Sequence, residues 1–328
     1  MAQKIAVLGA GTMGPGIATT YILGGFETAM YSRSRSTLDR ALEVVRGNLD
    51  LFVEENIISQ PQAEAALKLL TLTDSVEAAV KDAWYIAETV VEKPEVKQQL
   101  YTQLDAILPM DTIIASNTSY LDIFALMPQR RQPYSIISHW YAPPHILPLV
   151  EVVKGPETLP EVMDKVMQLH TDCGKTPVRM EKFIPGFIIN RMQSAMSREV
   201  YYLIENGYCT ADELDLAVKT SLMPRGLILG LVQRLDFNGL DMVANGMRNK
   251  AYSPAPPTEH PKMIFDPVSR GEYGIKSGKG LYDYTHMPYQ EVLRRRDKML
   301  LESVGLAQKG IASPLHKTKE AEAESTIG

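Results

Sequence analysis

The chain has 328 residues, of which 45% are apolar, and a formal net charge of −5. That length fits two domains of ordinary size, each with material for its own core. The acidic balance excludes the basic footprint of a nucleic-acid binder. No apolar run approaches the ~20 residues of a membrane span, and the two cysteines, Cys173 and Cys209, fit no metal-ligand spacing.

In chain order, Lys4–Leu8 (KIAVL) is a short apolar run and reads as a strand. GAGTMG follows at 9–14, then a helical segment, Pro15–Leu23, which Gly24-Gly25 ends, then a second strand at Thr28–Tyr31. Residues 35–70 are helical by pattern, because Leu38, Leu42, Val45, Leu49 and Phe52 recur at steps of three and four and share one face. A further helix starts after Ser59-Gln60-Pro61. Thr71–Thr73, Ala83–Ala87, Thr112–Ala115, Ser135–Ser138 and Leu149–Val153 read as strands, with a Val96–Leu108 helix among them. Strands alternating with helices predict a mostly parallel, doubly wound α/β sheet covered on both faces.

The pattern changes near Pro185. Phe187–Arg248 is helical in period, Ala251–Pro261 is a proline-rich loop, and Arg294–Leu306 reads as a last amphipathic helix. The tail is polar and of low complexity. The expected organisation is an α/β domain over 1–185, an all-α domain over 186–310 and a disordered tail over 311–328.

The glycines of GAGTMG, Gly9, Gly11 and Gly14, follow a strand and open a helix. That is the context in which G-x-G-x-x-G is a Rossmann dinucleotide fingerprint. The first glycine makes the turn, the second admits the pyrophosphate, and the third lets helix and strand close up. Gly9, Gly11, Thr12, Met13 and Gly14 are therefore the expected phosphate loop. An acid normally ends the second strand and holds the ribose 2′-hydroxyl; here that position is Ser32, followed by Arg33, Ser34 and Arg35. Two unit charges ~4 Å apart interact by roughly 4 kcal/mol at an effective dielectric of 20. A serine removes that repulsion toward a 2′-phosphate, and an arginine can grip it. Ser32, Arg33 and Arg35 thus favour NADP over NAD, while NAD binding without the acid stays open.

Hydride removal from a carbinol needs a base near neutrality, which histidine supplies. Of six histidines, His139 follows directly on the apolar run Ser135–Ser138, and ligands of such sheets sit beyond the strands' carboxyl ends. Glu151 lies inside the apolar run LVEVV, where a carboxylate needs a partner. A histidine would fit, its tautomer fixed by the acid.

These segments, with AETVVEKPEVKQQLY (87–101), SNTSYLDI (116–123), HWYAPPHILPLVEVV (139–153), PGFIINR (185–191) and SGKGLYDY (277–284), resemble the L-3-hydroxyacyl-CoA dehydrogenase family. The resemblance implies hydride exchange between NAD(P) and a 3-hydroxy or 3-keto substrate. It implies a catalytic pair at His139 and Glu151, substrate contacts at Ser119 and Asn190, and cofactor neighbours at Glu88, Glu92, Lys97 and Asn117. It also implies a homodimer built largely on the helical domain. Ser119 and Asn190 also suit helix caps by position. Arg225, in Pro224-Arg225-Gly226, sits at an expected helix break and suits an anionic substrate. Lys279 and its flanking glycines read as turn structure.

The sequence departs from the family where an asparagine usually follows the histidine by three residues; Ala142 stands there. The prolines at 143, 144 and 148 resemble the branch acting on free 3-hydroxy acids such as carnitine or gulonate. The leading expectation is a small 3-hydroxyacyl substrate carried as a CoA thioester, with a free 3-hydroxy acid as the alternative and a non-catalytic dinucleotide-binding protein as a third. Neither nucleic acid, membrane nor metal is an expected partner, and the expected compartment is the cytoplasm.

Overall fold

The computed structural model describes residues 3–250, 252–312 and 315. Two compact units divide at Arg191/Met192. Unit 1 contains β1 (Lys4–Leu8), α1 (Gly14–Leu23), β2 (Glu27–Tyr31), α2 (Arg35–Glu54), α3 (Gln60–Lys68), β3 (Leu70–Thr73), α4 (Val76–Val80), β4 (Ala83–Glu88), α5 (Pro94–Ile107), β5 (Ile113–Ser116), β6 (Ser135–Trp140), β7 (Leu149–Lys154), α6 (Pro160–Asp172) and β8 (Thr176–Met180). The eight strands form one sheet in the order β3-β2-β1-β4-β5-β6-β7-β8. Every neighbouring pair is parallel except β6 and β7.

The two faces of this sheet follow from the period of two along each strand. Ile5 and Val7 of β1 join Tyr85, Ala87, Ile113 and Ile136 under α1, α2 and α6. Ala6 and Leu8 join Ile86, Ile114 and Ile137 under α4 and α5. Strands buried on both faces read as continuous apolar runs, which is why β1, β4, β5, β6 and β7 are legible in the sequence. By contrast, α6 and β8 were not expected: β8 (TPVRM) has partly exposed flanks and a proline, the mark of an edge strand.

A buried cation ties this unit together below the sheet. Arg131 is 1% exposed. Its Nε donates to Asp105 at 2.9 Å and its Nη atoms donate to the carbonyls of Leu108, Pro109 and Met110. The fork closes the loop that leads from α5 into β5.

Unit 2 is helical, starting within α7 (Ile189–Glu205). It continues through α8 (Ala211–Ala217), a π-turn at Val218–Leu222, α9 (Met223–Leu229), α10 (Gln233–Asn238), α11 (Leu240–Asn249), α12 (Lys262–Ser269) and α13 (Tyr289–Ala312). Thr210 and Glu213 form a reciprocal capping box at the start of α8. The expected break at Pro224 is instead absorbed by the π-turn, so the chain stays helical from Ala211 to Leu229. Arg225 folds back onto Ser221, donating to its carbonyl and hydroxyl at 3.1 Å each. Lys279 pairs with Gly274 and Asp283 in isolated bridges and lies 3.2 Å from Glu272, a structural placement. Ile311 and Ala312 close α13; apart from Leu315, the rest of the expected tail lies outside the described residues. No helix among the described residues is long and apolar enough to cross a membrane.

Candidate active site

The sheet register brings Leu8, Glu88, Ser116 and Ile137 into one row across β1, β4, β5 and β6. This edge of the sheet, where such sheets bind ligands, gathers the strand ends, loops and helix starts that carry most of the expected site residues of unit 1.

The glycine loop separates what the fold needs from what a ligand needs. A Cβ on Gly9 would lie 2.6 Å from Thr89 Oγ1, and Gly9 itself adopts φ +122°. A Cβ on Gly14 would lie 1.9 Å from the Gly9 carbonyl. Both glycines are therefore required by protein packing. Gly11 is exposed, and a Cβ there would meet nothing within 4 Å. Helix α1 begins just after it with no side-chain cap on its first amides, so these donors are left for another acceptor. An open glycine before uncapped amides fits a dinucleotide pyrophosphate. Thr12 and Met13 lie on the same turn, exposed and half-buried respectively.

At the end of β2, Ser32 is half-buried and its hydroxyl accepts from the Ser34 amide at 3.4 Å. Arg33 and Arg35 are exposed, and Arg35 lies 3.4 Å from Asp39.

Glu88 and Lys97 are enclosed. Glu88 is fully buried and Lys97 is 1% exposed. The Glu88 carboxylate accepts from Lys97 at 2.8 and 2.9 Å, from Ser116 at 2.6 Å, from Tyr101 at 2.7 Å and from the Val90 amide at 2.8 Å. With no open surface, these two side chains fix the backbone of the loop after β4. Lys97 also lies 3.3 Å from Glu92, and Glu92 accepts from the Thr118 hydroxyl and from the Ser119 amide at 2.7 Å. The chain from Glu88 through Lys97 to Glu92 thus sets the position of Ser119. Ser119 starts no helix, which removes the capping alternative. Asn117 Oδ1 accepts from the Trp140 amide at 2.8 Å, locking the end of β6 to the loop after β5.

His139 and Glu151 are directly opposed in the antiparallel β6–β7 ladder. His139 Nδ1 and Glu151 Oε2 are 2.8 Å apart, and both residues are buried. The carboxylate sets the proton on Nδ1 and leaves the Nε2 lone pair for chemistry. The other oxygen, Oε1, accepts from the Ile188 and Ile189 amides at 3.0 Å each. Glu151 therefore caps the start of α7, where a negative charge is favoured. Burial pushes this carboxyl up, but the hydrogen bonds from His139, Tyr141 and the Ile189 amide outweigh it and hold Glu151 below the usual carboxylate range. Asn190 sits in the first turn of α7, half-buried, one residue past the last amide that Glu151 accepts.

Sequence reasoning missed Tyr141. Its hydroxyl donates to Glu151 Oε2 at 2.8 Å and its ring lies 4.6 Å from the His139 ring. The signal was available: residues i and i+2 of an extended chain share a face. Phe187 flanks the imidazole at 5.0 Å.

These features define the class: an NAD-binding doubly wound domain with a buried histidine–carboxylate pair at its ligand edge, followed by a helical unit. The family model "3-hydroxyacyl-CoA dehydrogenase, NAD binding domain" matches residues 4–183, and "3-hydroxyacyl-CoA dehydrogenase, C-terminal domain" matches 186–284. The chain belongs to the 3-hydroxyacyl-CoA dehydrogenase family. It is 30% identical over 289 residues to 5-formyl-3-hydroxy-2-methylpyridine 4-carboxylate 5-dehydrogenase of Mesorhizobium japonicum, covering 87% of this chain and 92% of that one. A crystal structure of a dehydrogenase of that name, described as an NAD+ dependent dismutase, superposes with a TM-score of 0.83 at 28% identity. It covers 94% of this chain and 99% of its own. The (S)-3-hydroxybutyryl-CoA dehydrogenase of Ralstonia eutropha superposes with a TM-score of 0.69 at 27% identity, covering 87% and 99%.

Proposed function

We propose that this chain exchanges a hydride between a nicotinamide dinucleotide and the C3 position of a 3-hydroxy or 3-keto acid, with His139 as the acid–base group. The 2.8 Å contact between His139 and Glu151 carries the reading. In the oxidative direction, His139 Nε2 takes the proton of the substrate hydroxyl, and Glu151 stabilises the imidazolium that forms. The bound dinucleotide supplies the hydride acceptor. Ser119, held through Glu92, and Asn190 orient the substrate oxygen. In reverse, the same imidazolium returns its proton to the keto oxygen.

The substrate class rests on two supports that point apart. The family model names 3-hydroxyacyl-CoA. The higher structural likeness is to an enzyme named for a 5-formyl pyridine carboxylate that carries no CoA, at 0.83 against 0.69. This favours a small acid without CoA over the thioester. NAD(P)H oxidation with acetoacetyl-CoA and with free 3-keto acids separates the two. Faster turnover of the thioester reverses the choice, and no turnover with either removes the catalytic reading.

The family model supports NAD as cofactor. Ser32 and Arg33 support use of NADP(H) at least as well as NAD(H), by the absence of a repelling acid and the nearness of a cation. The ratio of kcat/KM for the two cofactors tests this, and a large advantage for NAD(H) removes it. A homodimer is supported by the apolar side chains that unit 2 leaves exposed, among them Leu216, Val232, Phe237 and Met242. Sedimentation velocity tests that reading, and a monomer at micromolar concentration overturns it.

A further inference from the structure

We propose that Tyr141 is a positioning residue of the acid–base unit, sharing Glu151 Oε2 with His139 and so moderating how strongly the carboxylate holds the imidazolium. The inference rests on the reading of His139 and Glu151 as the acid–base pair.

Geometry supplies the first argument. A carboxylate offers about four lone-pair sites. Glu151 fills them with four donors: His139 Nδ1 and the Tyr141 hydroxyl on Oε2, and the Ile188 and Ile189 amides on Oε1. Tyr141 is thus part of a saturated set around a carboxylate with no exposure to water. Its ring adds a second contact, edge-on to the imidazole at an interplanar angle of 64°. With Phe187 at 5.0 Å, the imidazole is flanked by two rings as well as bonded through Nδ1.

Chemistry supplies the second argument. Burial pushes the Tyr141 phenol up, its bond to Glu151 and that residue's charge push it further, and the Asn190 amide opposes them without reversing the rise. The hydroxyl therefore stays protonated, so it donates to Glu151 throughout the working pH range. The ionisable groups that act on the carboxylate are His139 and Tyr141, and the one acting on the phenol is Glu151. Of the further charges on these elements, Lys154 at the end of β7 pairs with Glu181, and Arg191 in the first turn of α7 donates to the Pro185 carbonyl. A donor shared with His139 withdraws negative charge from Oε2. Its removal concentrates that charge on the Nδ1 proton and favours the charged imidazole.

Tyr141→Phe tests this in the full-length protein. The ring and its packing are kept and one oxygen is removed. Two readouts are compared with wild type: the pH titration of the His139 ring by NMR, assigned with His139→Gln, and the pH profile of kcat/KM. We expect the NMR midpoint and the acid limb of the profile both to move to higher pH. An unmoved NMR midpoint with native melting overturns the proposal whatever the base is. A moved midpoint with an unmoved profile supports the coupling and overturns His139 as the base. Tyr141→Leu, which removes ring and hydroxyl together, should move the midpoint in the same direction; a shift in Leu but not in Phe assigns the effect to the ring and overturns the shared-oxygen account.

Discussion

His139 and Glu151 are register partners across the one antiparallel step of an otherwise parallel sheet. Twelve residues apart in sequence, they meet because β7 turns back along β6 and presents its acid at the matching position. Replacing His139 by Ala should lower kcat by about 10²–10⁴-fold, the range for loss of a general base. Near-native turnover would remove His139 from the mechanism.

The same acid predicts a pH dependence of stability. Glu151 is held below the usual carboxylate range in the folded state. A depressed carboxylate stabilises the fold above its unfolded value of about 4.3, and that contribution is lost as pH falls through the folded value. The urea midpoint of wild type should therefore exceed that of Glu151→Gln at pH 7, and the gap should narrow toward pH 3. A gap that stays constant across this range would sink the assignment.

The glycine loop yields a contrast between neighbours. Gly14→Ala should fail to fold normally, because its Cβ would overlap the Gly9 carbonyl. Gly11→Ala meets no protein atom, so its melting temperature without cofactor should match wild type. Its Kd for NAD(H) or NADP(H) should rise at least tenfold, as expected where backbone must approach a pyrophosphate. Unchanged binding in a folded Gly11→Ala protein would remove that role.

Asp105→Ala should destabilise the protein by about 3–5 kcal/mol, the cost of stranding a buried charge. Its partner Arg131 is 1% exposed. Arg131→Lys should not substitute well, since one ammonium cannot reproduce a fork that reaches Asp105 and three separate carbonyls. Chemical denaturation of both variants checks the pair, and a loss below ~1 kcal/mol in either contradicts it.

Glu92→Ala should act on turnover more than on folding. It frees the Ser119 amide and the Thr118 hydroxyl while Lys97 keeps Glu88. Loss of substrate positioning on this scale costs about 10²-fold; kcat/KM should fall by about that factor with the cofactor Kd unchanged. An equal loss in cofactor binding would place Glu92 on the other half of the site.

Ser32→Asp should shift the cofactor ratio toward NAD(H) by restoring the acid that holds a ribose 2′-hydroxyl and repels a 2′-phosphate. A ratio of kcat/KM unchanged from wild type would mean that this position does not read the ribose.

Much of this was present in local pattern. The strand of Lys4–Leu8, the glycines that follow it and the helix of Gly14–Leu23 are set by neighbours within a few residues, and period and punctuation reveal them. The pairing of His139 with Glu151 was legible for a different reason: a carboxylate in an apolar strand must find a partner. Helix α6 and strand β8 were not legible, because an amphipathic covering helix and a polar edge strand look like connecting segments until the sheet is there to receive them.

The sequence by itself determined the class of the two units, the glycine loop between β1 and α1, and the histidine and carboxylate proposed as base and acid. Tertiary structure alone decided the rest of the site. It enclosed Glu88 and Lys97 as a buried pair beneath the loop after β4. It placed the first amides of α7 on Glu151 and put the Tyr141 hydroxyl on the oxygen that His139 uses. The physical reason is that a buried carboxylate is satisfied by whichever donors the fold delivers. Those donors come from segments whose meeting is fixed by strand register and packing, which no local spacing encodes.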